Sequence, residues 1–185
     1  GRIIMYNVPT RTGLNLLPET AIRIGATEKN VVAIKEASGI TSQAHMIANS
    51  DVLDVYSGND EKVFDVMHVG GKGVISVFAN IFPKQSHNMV KAYFDGKLMD
   101  SLGYQIKSLD VISSLFLDVN PIPLKKALEY MGLCQGIVRE PLVELDESKK
   151  YDELEEVELN SFKDRLNGNK FYDLYLKKLL GKYFE

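Results

Sequence analysis

Lys35 closes the apolar run Val31-Val32-Ala33-Ile34 and leads into Glu36-Ala37-Ser38. A lysine at the polar end of a buried strand is an expensive placement, because desolvation disfavours its charged form. The chemistry that uses such an amine is nucleophilic attack on a carbonyl substrate to form a Schiff base. Tyr6 closes another apolar run, Ile3-Ile4-Met5, and offers the proton transfers that this chemistry needs. Arg11 follows in the segment Pro9-Thr10-Arg11-Thr12-Gly13, where a guanidinium fork suits a substrate carboxylate. The plain alternatives are a lysine whose ammonium reaches water, a tyrosine that packs in the core and a surface arginine. The three residues together favour the chemical reading. Glu36 falls on the opposite face from Lys35 if the strand is regular, so it is no obvious ion partner.

These residues need elements to hold them. Strand-length apolar runs at Arg2–Tyr6, Val31–Lys35, Val52–Ser57 and Gly73–Phe78 suit strands buried on both faces. Helical patterns lie between and after them. The first opens at Pro18-Glu19-Thr20, with Pro18 suited to its first turn and Glu19 to the positive end of the dipole. Others cover Thr41–Ala48, Asp60–Val69 and Pro83 to about Phe94, the last stopped by Asp95-Gly96. The order β-α-β-α-β-α-β-α implies parallel strands with right-handed crossovers. Spacing alone fits either half of a (β/α)8 barrel or a small open sheet. In both, sites form at the carboxyl ends of strands, where Tyr6, Lys35, Ser57-Gly58 and Ser76 fall.

Beyond Gly96 the pattern turns helical: Lys97–Leu117, the turn Asn120-Pro121-Ile122-Pro123, and Leu124–Met131 stopped by Gly132. Pro141–Asp146 reads as extended, Glu147–Leu166 as an acidic helix, and Lys170–Phe184 as an amphipathic helix. Tyr172, Tyr175, Leu176, Leu179, Leu180 and Tyr183 make a stripe on that helix, suited to docking on its own domain, on a partner or on an open sheet edge. The division expected is 1–96 for the four βα units, 97–146 for the helices that follow and 147–185 for a helical tail.

Several readings fall away. Gly70-Gly71-Lys72-Gly73 lacks the full phosphate-loop pattern and precedes a strand rather than a helix, so it is a tight turn. Gly58 lets backbone approach a ligand, while Asn59 or Asp60 suits the cap of the next helix. His45, His68 and His87 lack metal-ligand spacing. Cys134, the one cysteine of 185 residues, excludes an internal disulfide, fits a reducing compartment, and is expected to be at least partly buried. The formal net charge of -3 gives no basic field for nucleic acid. No apolar run approaches the ~20 residues that cross a bilayer, and no signal peptide is visible, so the expected place is the cytoplasm.

Five segments in register resemble the dihydrodipicolinate synthases, within the class I pyruvate aldolase and N-acetylneuraminate lyase superfamily. They are Tyr6-Asn7-Val8-Pro9-Thr10-Arg11-Thr12-Gly13, Ile34-Lys35-Glu36-Ala37-Ser38, Ser57-Gly58-Asn59-Asp60, Gly73-Val74-Ile75-Ser76-Val77-Phe78-Ala79-Asn80 and Asn120-Pro121-Ile122-Pro123-Leu124-Lys125. The resemblance covers about residues 1–145 and implies the C-terminal half of a (β/α)8 barrel followed by helices. It makes Lys35 the lysine that forms an imine with pyruvate, with no other cofactor, and Tyr6 the proton relay. Arg11 becomes the residue that meets the carboxylate of L-aspartate-4-semialdehyde, and favours the synthase over the lyase branch, which lacks an arginine there. The backbone at Ile75 corresponds to a pyruvate contact and Gly58 to the pocket lining. The implied reaction gives 4-hydroxy-tetrahydrodipicolinate, towards lysine and diaminopimelate, in a homo-oligomer that is tetrameric in the family.

The family's other half carries a Gly-Thr-Thr type loop for the pyruvate carboxylate, a second tyrosine and the lysine feedback site, and none has a counterpart here. The start at Gly1-Arg2, straight into a strand, suggests that upstream residues are missing. The chain alone is therefore expected to turn over substrate poorly, and its open edges to be met by self-association of half-barrels, by pairing with another chain or by a fold rearranged with the tail. The alternatives are another pyruvate-dependent aldolase of the superfamily, or a non-catalytic half-barrel that serves interaction.

Overall fold

The computed structural model describes residues 1–145. The chain divides into two compact units, Gly1–Leu109 and Asp110 onward.

The first unit is a sheet of four parallel strands in sequence order: β1 (Ile3–Asn7), β2 (Val31–Glu36), β3 (Asp54–Ser57) and β4 (Gly73–Val74). Between β1 and β2 lie α1 (Pro9–Thr12) and α2 (Pro18–Thr27); α3 (Thr41–Ala48) follows β2. A 3-10 turn at Asp60–Lys62 and α4 (Val63–His68) follow β3; a second 3-10 turn at Phe78–Asn80 and α5 (Pro83–Phe94) follow β4. This is the β-α alternation expected, with the topology of half a (β/α)8 barrel. The helix bounds at Thr41–Ala48 and Pro83–Phe94 fall as the sequence pattern places them. Pro18 is buried in the first turn of α2 with Glu19 beside it.

The helices cover one face of the sheet. Ile34 and Val55 of the strands pack there with Ala21 of α2, Ala44 and Ile47 of α3 and Val66 of α4. Val63 and Met67 of α4 pack with Met89 of α5 in a smaller cluster.

The strands correct the expectation of burial on both faces. In β1, Ile3, Ile4 and Tyr6 are about half exposed while Asn7 is buried. β1 has a strand on one side only, and the apolar cluster against the helices takes up Met5, whose side chain alternates with Ile4 and Tyr6. Two strands are also shorter than expected. Before β3, Ser50 and Asp51 make a turn, with Asp51 at φ 56° and the Val52 N–H donating to Ser50 Oγ. After Val74, the N–H groups of Val77 and Phe78 leave the sheet and donate to the Asp60 carboxylate at 2.9 and 3.0 Å.

The second unit begins within α6 (Leu98–Ser114) and contains α7 (Ile122–Tyr130). Val111, Ile112, Leu115, Leu124 and Ala127 are buried. Pro123 lies inside the first turn of α7, so the helix starts two residues before the expected Leu124; the first turn needs no N–H from proline. Gly132 ends it at φ 71°, a conformation that glycine adopts without a Cβ penalty. Residues 141–145 form no strand, and Cys134 is exposed rather than buried. The expected helices at Glu147–Leu166 and Lys170–Phe184, with the tyrosine-leucine stripe, lie outside the described residues. No helix of the described residues is long and apolar enough to cross a membrane.

Candidate active site

Parallel pairing puts Tyr6 beside Lys35, Lys35 beside Tyr56, and Tyr56 beside Gly73. Side chains of paired residues project to the same face. Lys35 Nζ accordingly lies over the Tyr6 ring, 4.4 Å from its centroid. The contact is of the amine with the aromatic face. Tyr6 is 53% exposed, so this pair stands at an open surface of the sheet.

Three backbone bonds stitch the carboxyl ends of all four strands together. Ala37 N–H donates to Asn7 O at 2.9 Å, Gly58 N–H to Glu36 O at 2.7 Å, and Ile75 N–H to Ser57 O at 2.9 Å. Gly58 and Ile75 are thereby fixed relative to the strand that carries Lys35. Gly58 also has a steric reason to be glycine. A Cβ there would lie 2.5 Å from Ala37 Cβ, 3.1 Å from Glu36 O and 3.1 Å from Lys35 Cε. Its missing side chain is the space in which the lysine stem runs.

Arg11 does not lie in an open loop. Pro9–Thr12 is a single helical turn, begun by a proline and closed by Gly13 at φ 70°, whose N–H donates to Pro9 O. The turn carries Arg11 exposed at its third position, just beyond the end of β1.

The expected capping role of Asn59 or Asp60 takes a different form. Asn59 occupies the cap position but accepts no backbone N–H of the turn it precedes; its amide donates instead to Glu61 Oε1 at 3.1 Å. Asp60 instead reaches across to the turn after β4, where its carboxylate receives the N–H groups of Val77 and Phe78. Burial pushes its carboxyl above the usual value. The Ser76 hydroxyl and the two N–H groups pull the other way, and Glu61 adds to the rise. Gln105 completes the arrangement: its amide donates to Asp60 O at 2.9 Å and accepts from Phe64 N–H at 3.2 Å. Asp60 thus anchors the backbone directly after Ile75.

Sequence reasoning missed a second polar group behind the lysine. Glu36 does point away from Lys35, as expected from the pleat, but it is buried with Asn7 and Gln43. Its oxygens accept from Asn7, Gln43 and Ser38. The available signal was a pair of polar residues, Asn7 and Glu36, each one position after a site residue. A cavity of about 460 Å³ lies at the other end of the strands between Val32, His45, Asp54 and Lys72, away from Lys35.

Consecutive parallel βα units, with a lysine facing a tyrosine at the carboxyl ends of adjacent strands, are those of an α/β protein of the barrel type. Comparison with known proteins narrows the class. The dihydrodipicolinate synthetase family model matches residues 2–158. The 4-hydroxy-tetrahydrodipicolinate synthase of Clostridium tetani is 49% identical over 148 residues, which are 79% of this chain and 50% of that protein. The crystal structure of dihydrodipicolinate synthase from Thermotoga maritima superposes with a TM-score of 0.78 at 40% identity, over 89% of this chain and 56% of that one. The Acinetobacter baumannii synthase, crystallised in complex with pyruvate, superposes with a TM-score of 0.76 at 35% identity, over 89% and 55%. The chain belongs to the dihydrodipicolinate synthetase family, and spans about half the length of the curated relatives it matches.

Proposed function

We propose that Lys35 is the imine-forming nucleophile of a 4-hydroxy-tetrahydrodipicolinate synthase. The observation that carries this reading is the seating of the Lys35 amine over Tyr6, in the space that Gly58 leaves open. The amine nitrogen bonds to the ketone carbon of pyruvate, and the ketone oxygen departs as water after taking up protons. Tyr6, beside it, moves those protons. The resulting imine activates the adjacent methyl carbon as a nucleophile towards the aldehyde of L-aspartate-4-semialdehyde. Arg11, exposed on the turn after β1, receives the carboxylate of that second substrate. The backbone at Ile75, held through Ser57 and Asp60, borders the pyruvate. The covalent imine is the only cofactor-like species this route needs.

These strands correspond to the C-terminal half of the family's barrel, and the loop that holds the pyruvate carboxylate belongs to the other half. The chain by itself forms the imine but condenses the two substrates slowly, since orientation and charge stabilisation supply much of the rate. A second copy of the chain is the partner that its open sheet edges suit, and the cytoplasm is its place of action.

Incubation with pyruvate and borohydride, followed by peptide mass mapping, tests the assignment. The expected result is a reduced pyruvate adduct on Lys35 and none on Lys35→Arg. A chain that acquires no adduct at Lys35 overturns it.

A further inference from the structure

Asn7 and Glu36 occupy matching places. Each follows a site residue by one position, each is the last residue of its strand, and the two are paired in register. Their side chains project away from Tyr6 and Lys35, into the helix side of the sheet. Asn7 is 2% exposed and Glu36 4%.

There they are fully engaged. Asn7 Nδ2 donates to both Glu36 oxygens at 3.1 and 3.0 Å. The Ser38 N–H donates to Glu36 Oε1 at 2.7 Å and Gln43 Nε2 to Glu36 Oε2 at 3.3 Å. Asn7, Ser38 and Gln43 all donate to Glu36, the pattern a carboxylate requires. Asn7 Oδ1 accepts from Leu16 N–H at 3.0 Å. Asn15 Nδ2 donates to Gln43 Oε1 at 2.8 Å. The group therefore ties β1, β2, α3 and the segment that follows the Arg11 turn.

We propose that Glu36 is a positioning residue for the Tyr6–Lys35 pair, acting through Asn7. The backbone bonds at the strand ends, Ala37 N–H to Asn7 O and Gly58 N–H to Glu36 O, fix the spacing of the strands, but each holds a terminal peptide at a single atom and leaves it a small twist about the strand axis. Such a rotation swings residue i and residue i+1 together, because they project from opposite sides of the same peptide. Tying Asn7 to Glu36 on the buried side thus holds Tyr6 over Lys35 on the open side. The low dielectric around the bonds strengthens them and makes any unmatched donor costly. This inference rests on the proposed role of Lys35.

The test uses the full chain and the rate at which borohydride traps pyruvate on Lys35, per folded molecule as measured by circular dichroism. Glu36→Gln keeps the shape but sets an amide N–H2 among donors. It is expected to lower the limiting rate by about 10- to 100-fold, with the half-saturating pyruvate concentration little changed. Asn7→Asp with Glu36→Gln exchanges donor and acceptor, and is expected to recover about tenfold of that loss. A purely structural Glu36 would lower the melting temperature and leave the rate per folded molecule intact, which overturns the positioning role while Lys35 keeps its own. A double variant no faster than the single one, folded or not, also overturns it. A wild-type chain without an adduct removes the Lys35 assignment and this inference with it.

Discussion

The two faces of the sheet are built from alternate residues of the same strand ends, yet they are opposite in character. On the helix side, Asn7, Glu36 and Ser57 are buried and every one is hydrogen-bonded. On the other side, Ile4 and Tyr6 are about half exposed and Lys35 meets an aromatic ring rather than a charged partner. The polar network is placed where water cannot reach it, and the Lys35 amine one residue away, on the open face. The contrast shows how a small site is made stiff without being closed: the stiffness is supplied from behind the strands.

The largest effect should come from intruding on the open face. Gly58→Ala places a methyl group against Ala37 and the Lys35 stem. The lysine must move, and pyruvate trapping on Lys35 should fall by about 100-fold, with overpacking costing about 1–3 kcal/mol in denaturant unfolding. An unchanged trapping rate would show that the open face tolerates displacement and that its geometry is not controlled from behind.

A smaller effect is expected from the buried side, at the turn that follows Ile75. Asp60→Asn replaces one carboxylate oxygen by an N–H2 that must find an acceptor among the donors Val77 and Phe78 N–H, for about 1 kcal/mol of stability at neutral pH. The pH dependence has a definite sign. Burial holds the folded carboxyl of Asp60 above its ordinary value of 3.8, so the native state keeps its proton to higher pH than the unfolded chain. The stability linked to that proton is fully present below the unfolded value and is lost as pH rises through the folded one. The wild-type advantage over Asp60→Asn, read as melting temperature, should therefore narrow as pH rises from below 3.8 towards neutrality. An advantage that widens with pH contradicts the dominance of burial at this site.

The smallest effect belongs to neither face. Lys91 and Asp95 form an exposed i,i+4 pair at 2.6 Å on α5, and the bond from Lys91 holds the Asp95 carboxyl below its usual value. Solvent screens such pairs. Asp95→Asn should leave both the melting temperature and the trapping rate unchanged, and a clear change in either would mean that surface charge contributes to the contrast between the faces.

Much of this arrangement is legible in the residues themselves. Short apolar runs ending in Tyr6 and Lys35 announce strands whose polar tips lie side by side, and Pro18, Pro83 and Gly96 mark helix limits that the structure reproduces. What hides from the sequence is tertiary. Asn7 and Glu36 stand 29 residues apart, and nothing local says that one donates to the other. Asp60 looks like a cap for its own helix because capping is a local habit, whereas its carboxylate serves a turn 17 residues on. Gly73–Phe78 reads as one strand because its residues favour that state; the pull of Asp60 on Val77 and Phe78 shortens it. Cys134 is exposed because residues 132–135 follow the end of α7, outside its buried positions.

The consecutive strand order β1-β2-β3-β4 also bears on how the chain folds. Each strand pairs with its successor, so Tyr6 and Lys35 meet across one crossover, the segment that carries α1 and α2, and no more distant segment has to arrive first. Loop-closure entropy grows only slowly over such lengths, and topologies rich in near-neighbour pairings fold faster than those that need remote ones. Tyr6 and Lys35 are thus brought together by neighbouring strands alone, with no segment from elsewhere in the chain between them.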